Sequence, residues 1–193
     1  MARIRTFIAL DLGKPIRDKA VALQESLARS GADVKWVEEE NLHVTLLFLG
    51  EVDDRELPDV CRAVADGCEG RRGFAMSVEG VGCFPNPRRP RVVWIGIGNG
   101  VQEVVALHDA LEEKLLELGC YRREERQYTP HITLGRVKRD DSPTDELASL
   151  LAKKANWQAG EVAVREVLVM SSELTRDGPV YTVLSRAKLG RPD

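Results

Sequence analysis

A chain of 193 residues is long enough for one compact domain, or for two small lobes sharing a core. Hydrophobic residues make up 43% and charged residues 31%, the balance of an ordinary globular fold. The formal net charge of −3 excludes whole-molecule attraction to a polyanion, so phosphate recognition has to come from a local basic patch.

Residues 4–12 read as a strand, rich in β-branched and aromatic side chains. A helix follows, with Pro15 in its first turn and Ile16, Ala20, Leu23 and Leu27 on one stripe, ending at Gly31. Residues 34–37 form a short strand, 38–41 a polar turn, and 42–49 a strand closed by Gly50. A second helix covers 55–68, with Leu57, Val60, Cys61 and Val64 inward. Strands at 74–84 and 91–97 flank a linker, residues 85–90, whose three prolines exclude regular structure. A third helix spans 101–118 on the stripe Val104, Leu107, Leu111, Leu115 and Leu118, and Gly119 ends it. A strand at 128–137 precedes a fourth helix that opens on the hydroxyls and acids of residues 142–146 and reaches 155. Strands at 161–170 and 180–188 close the chain, joined by the turn Asp177-Gly178-Pro179. Helices and strands interleave, yet several strands follow one another directly. That order predicts an α+β fold with mainly antiparallel sheets.

No apolar run approaches the length of a membrane span, and the apolar stretch Phe7–Leu10 behind the basic start is too short for a secretion signal. Cys61, Cys68, Cys83 and Cys120 include no C-x-x-C pair and match no zinc spacing, which predicts free thiols in a reducing compartment. A cytoplasmic monomer away from membranes is the expectation.

Two segments share a pattern. Asn41-Leu-His-Val-Thr-Leu-Leu-Phe48 and Thr129-Pro-His-Ile-Thr-Leu-Gly-Arg136 each carry His-apolar-Thr-Leu inside a predicted strand. Residues two apart in a strand point the same way, so His43 and Thr45 share a face, as do His131 and Thr133. Val44 and Ile132 then face a core. Only three histidines occur in the chain, and two of them occupy this one context. If two lobes are related by an approximate two-fold axis, the motifs meet across a groove. Two imidazoles and two hydroxyls there suit hydrolysis of a cyclic phosphate. A neutral imidazole takes a proton from water, an imidazolium protonates the departing ribose oxygen, and the hydroxyls donate to the charged non-bridging oxygens. No metal or cofactor is called for.

These motifs, with Arg5-Thr-Phe-Ile-Ala-Leu-Asp-Leu12 and Pro90-Arg-Val-Val-Trp-Ile-Gly96, resemble the two-histidine phosphoesterase superfamily, in its branch of RNA 2′,3′-cyclic phosphodiesterases historically called 2′-5′ RNA ligases. The resemblance covers most of the chain. It implies a bilobal fold, two mainly antiparallel sheets related by a pseudo-two-fold axis around a central cleft, with helices outside. It implies RNA with a 2′,3′-cyclic phosphate end as substrate, cleavage to a 2′-phosphate, and weak joining of RNA ends by the reverse chemistry. His43 becomes the proton donor and His131 the acceptor by that likeness alone, because the motifs are near-symmetric.

Phe48 and Arg136 lie five residues past their histidines, where ideal alternation puts both on the opposite face. A bend at Gly135 would redirect Arg136 to a phosphate; Phe48 is either a stacking platform for a base or core. Tyr128 is either a cleft residue or an ordinary strand aromatic. Arg88, Arg89 and Arg91 make a basic, proline-stiffened loop that either meets an RNA backbone or is a solvated surface. Arg122, Arg123 and Arg126 read as a solvated loop, Trp36 and Trp94 as packing, and His108 as a packing or surface residue. Two rivals to the enzyme reading have weaker support. A metal hydrolase lacks any H-E-x-x-H or carboxylate ligand cluster, and a non-catalytic RNA-end-binding module has no need of paired histidines.

Overall fold

The computed structural model describes residues 2–119, 121–123, 127–138, 144–176 and 178–190. In chain order these form β1 (Arg3–Leu10), α1 (Lys14–Ala28), β2 (Val34–Trp36), β3 (Val44–Asp53), α2 (Leu57–Cys68), β4 (Phe74–Phe84) and β5 (Val92–Ile97). α3 (Val101–Glu117), β6 (His131–Val137), α4 (Asp145–Lys153), β7 (Gln158–Val164), β8 (Glu166–Leu174) and β9 (Pro179–Lys188) complete them. Cys120, Arg126, residues 142–143 of the expected α4 cap and Asp177 of the final turn lie outside the described residues.

The strands run in the order β7-β4-β5-β6-β3-β1-β8-β9, with β2 added on β6, and every ladder is antiparallel. The path narrows at its middle, where β3 and β6 share the single register pair Val44↔Ile132. Outward from that joint, β3-β1-β8-β9 mirrors β6-β5-β4-β7. The expected α+β, antiparallel, bilobal fold is therefore present, and its two sheets join edge to edge into one curled sheet. α2 and α3 pack on each other and on the first half; α1 and α4 pack on the second.

Apolar periodicity explains the helices. Ile16, Ala20, Leu23 and Leu27 of α1 are buried, as are Val104, Leu107, Leu111 and Leu115 of α3. Leu118 departs from the expected stripe: α3 ends at Glu117, and Leu118 is left 43% exposed. α2 and α3 approach closely because Gly67 has no side chain. A Cβ there would stand 2.8 Å from Leu111 Cδ2.

The segment expected as one strand at 161–170 is two. β7 pairs with β4 at one end of the sheet and β8 with β1 and β9 at the other, with the break at Arg165. No glycine or proline marks that break; its local sign is the charged pair Arg165-Glu166 between apolar residues, which is too short to read as a turn. Cys61, Cys68 and Cys83 are unbridged. No helix among the described residues is long and apolar enough to cross a membrane.

Candidate active site

The joint between the half-sheets brings the two motifs together. Val44 and Ile132, directly opposite in the register, are both 0% exposed. Alternation then turns their neighbours to the other side. His43, Thr45, His131 and Thr133 all line one cavity of about 370 Å³.

Both histidines are held the same way. Nδ1–H of His43 donates to the carbonyl oxygen of Asn41 at 2.7 Å, and Nδ1–H of His131 donates to that of Thr129 at 2.8 Å. A carbonyl only accepts, so each ring carries its proton on Nδ1 and keeps Nε2 for chemistry. His43 Nε2 lies 2.8 Å from Thr45 Oγ1, whose hydroxyl donates to it when the ring is neutral. Aromatic rings fix the imidazoles laterally. Phe7 and Tyr181 lie 5.0 and 5.5 Å from His43, and Phe84 stands edge-on 5.2 Å from His131. Burial pushes the His43 pKa down from its ordinary value. A charge on His131 pushes the same way, and the Asn41 carbonyl works against both.

Two β-bulges complete the lining. Ile8 pairs with Leu47 and Ala9 with Thr45, so Leu46 is an extra residue in β3. Val93 pairs with Gly135 and Trp94 with Thr133, so Leu134 is the extra residue in β6. Each bulge reverses the parity of the residues that follow it, in β3 as far as a second shift at Leu49. Leu46 and Leu47 are both buried, and Phe48 returns to the cavity; Leu134 and Gly135 are both buried, and Arg136 returns with it. Core is thus the wrong alternative for Phe48: it is 40% exposed, lines the cavity, and has the Arg5 guanidinium 4.8 Å from its ring centroid. Gln24, buried in α1, steadies the second bulge by donating to the carbonyls of Leu134 and Val37 at 2.9 and 2.8 Å. Gly135 permits it sterically, since a Cβ there would stand 2.7 Å from Val34 Cγ1.

Tyr128 does not line the cavity, so of its two readings the cleft residue in contact with substrate is the one corrected. β6 begins only at His131, and three residues upstream Tyr128 turns inward. It stacks on His108 with centroids 4.0 Å apart and donates its hydroxyl to the Thr45 carbonyl at 2.9 Å. Burial raises its pKa, so the phenol stays protonated and donating. It braces the first motif from behind. Tyr128→Phe is expected to lower stability by about 1 kcal/mol, the usual value of such a bond, seen as a reduced midpoint in urea unfolding.

The sequence did not single out Arg5, Phe7, Lys35, Glu38, Asn41 and Tyr181, which also line the cavity. Trp36, read as packing, borders it too while half-buried. Asn41 belongs to a 3-10 turn, Glu39–Asn41, and its side chain donates to the Pro179 carbonyl at 2.9 Å, tying the start of β9 to the anchor of His43. The family-like run beginning at Arg5 was the available signal for Arg5 and Phe7. Tyr181 sits in a strand with nothing in its neighbourhood to mark it.

The model of the LigT like Phosphoesterase family matches the chain twice in succession, over residues 10–94 and 95–181. A Methanothermobacter thermautotrophicus protein named RNA 2′,3′-cyclic phosphodiesterase is 41% identical over 180 residues, covering 93% of this chain and 96% of the relative. A Thermotoga maritima protein of the same name is 35% identical, covering 94% and 93%. Among solved structures, a Thermus thermophilus protein aligns with a TM-score of 0.81 at 30% identity over 96% of this chain and 98% of that one. Escherichia coli LigT complexed with 3′-AMP aligns with a TM-score of 0.78 at 26% identity over 97% and 99%.

Proposed function

Because the chain belongs to the LigT-like phosphoesterase family, we propose that it hydrolyses the 2′,3′-cyclic phosphate end of RNA to a 2′-phosphate. The observation carrying this is the pair of imidazoles on one cavity, each locked by a backbone carbonyl with Nε2 left for proton transfer. His131 takes a proton from water as its oxygen attacks phosphorus. His43 gives a proton to the 3′ oxygen as the P–O3′ bond breaks. Thr45, Thr133 and Arg136 donate to the non-bridging oxygens, where negative charge grows. Phe48, its ring aimed into the cavity, offers a stacking surface to the terminal base. A 5′-hydroxyl replacing water gives a 2′-5′ link by the same two proton transfers.

The reaction so written uses no metal or cofactor. Both motifs come from one chain, so a monomer suffices, and the unbridged cysteines fit a cytoplasmic location. The test is a short RNA ending in a 2′,3′-cyclic phosphate, incubated in EDTA, with the product's phosphate position identified. A 2′-phosphate is expected. Loss of turnover in EDTA removes the metal-free mechanism, and a 3′-phosphate reverses the assigned bond cleavage.

A further inference from the structure

The cavity holds more positive charge than one cyclic phosphate needs. A cyclic phosphodiester carries a single negative charge, and the histidine pair, the two threonines and Arg136 already face it. Lys35 lines the same cavity. In the β2–β6 register Lys35 stands directly opposite Arg136, and directly opposed like charges destabilise a strand pair. Among the described residues neither side chain makes an ion pair, and Glu38, the carboxylate on the lining, contacts neither. Just past the ends of the same strands the charges are matched, Lys138 pairing with Asp33 at 3.0 Å. The unneutralised pair faces where a substrate enters.

The row continues across the sheet. Val92 pairs with Arg136 on the other side, and just before Val92 comes the β4–β5 loop with Arg88 and Arg89, both exposed. The loop is anchored at the site from both ends. It leaves β4 at Phe84, whose ring touches His131, and returns at Arg91, whose carbonyl accepts the Val137 N–H at 3.0 Å. Within it the Asn86 side-chain oxygen accepts the N–H groups of Arg88 and Arg89 at 3.0 and 3.2 Å. That fixes the turn and leaves both guanidinium groups in water.

Building on the cyclic phosphodiesterase reading, we infer that Lys35, Arg88 and Arg89, flanking Arg136 at the reacting phosphate, form a track for the RNA backbone 5′ of the cyclic end. Phosphates upstream of the reacting nucleotide then contribute to recognition. Lys35 and the loop lie to either side of Arg136, at about 4.8 Å per strand, so they stand beyond the residue that faces the reacting phosphate and within reach of further ones. In a chain of net charge −3, this local row is what attracts a polyanion.

The experiment compares a nucleoside 2′,3′-cyclic phosphate with a pentaribonucleotide ending in the same nucleoside and cyclic phosphate, over a range of salt concentrations. The pentamer is expected to show kcat/KM at least about 10-fold higher at low salt, with the advantage shrinking as salt rises. The double variant Arg88→Ala/Arg89→Ala lowers the pentamer value by about 5-fold or more and leaves the nucleoside substrate unchanged. It reduces the slope of log kcat/KM against log salt by about 1.4, at ~0.7 per lost single-strand phosphate contact. Lys35→Ala lowers the pentamer value more than the nucleoside value. Equal wild-type kcat/KM on both substrates, or equal losses on both in the variants, removes the track and leaves the parent reading standing. No turnover of either substrate removes the parent reading as well. If the double variant loses its fold, Lys35→Ala and the wild-type salt slope decide.

Discussion

Alanine at His43 or at His131 should lower kcat by about 10²–10⁴-fold, the usual worth of one positioned acid or base, while RNA binding persists. Binding survives because Thr45, Thr133, Arg136 and the aromatic walls are untouched by either change. The double variant should lose little more than the worse single one, since two proton transfers serving one displacement do not act independently. The roles separate chemically. A substrate whose 3′ bridging oxygen is replaced by sulfur has a leaving group that needs no proton. It should restore turnover to His43→Ala by a large factor and leave His131→Ala inactive, because water still has to be deprotonated. The reverse pattern would exchange the assigned roles. Single-turnover rates on both substrates measure this, and a kcat within about threefold of wild type in either alanine variant would sink the mechanism.

Much of this site was legible because its elements repeat. A His-x-Thr pair in a strand fixes which side chains share a face, and the apolar residue between them fixes which face is core. Val44 and Ile132, 0% exposed and opposite each other, confirm that logic at the joint of the sheet. The bulges were not legible. Leu46-Leu47 and Leu134-Gly135 read as a continuation of the strand, yet each inserts one residue and reverses the alternation behind it. Gly135 hinted at the second bulge; nothing hinted at the first, and Phe48 was accordingly left between cleft and core. Tyr128 failed for a different reason. Three residues before His131, strict alternation would already have turned it from the cleft; the strand starts at His131, and Tyr128 turns inward against His108. Tyr181 and Asn41 reach the site through tertiary placement, the one by an edge contact with His43 and the other by a hydrogen bond to Pro179. Neither leaves a local pattern.

The pH dependence carries the second large effect. Burial, with the facing His131, holds His43 below the ordinary histidine pKa of about 6.5, so in the empty cavity at neutral pH it is predominantly the neutral base form. A proton donor must be charged. If His43 is the donor, the bound phosphate has to raise its pKa by placing a negative charge where the cavity offered only burial and another imidazole. Kinetic limbs belong to the coupled pair and do not assign a site, so the measurement is His43 itself, followed by its ring resonances. Its midpoint should lie below about 6.5 in the free protein. It should rise in His131→Gln, which removes the repelling charge, and rise further with a bound non-hydrolysable phosphodiester. Correspondingly, the alkaline limb of kcat should lie at higher pH than that of kcat/KM, with a tenfold loss of rate per pH unit beyond it. The same shift has a cost in stability with a definite sign. Unfolded His43 takes its proton near pH 6.5 and the folded residue only at lower pH. The fold therefore loses stability as pH falls from about 6.5 through the folded value, and bound phosphate offsets that loss. A His43 midpoint at or above about 6.5 in the free protein contradicts the buried, repelled imidazole from which this coupling follows. A midpoint that phosphate fails to move would leave His43 unprotonated during turnover and pass the donor role to His131.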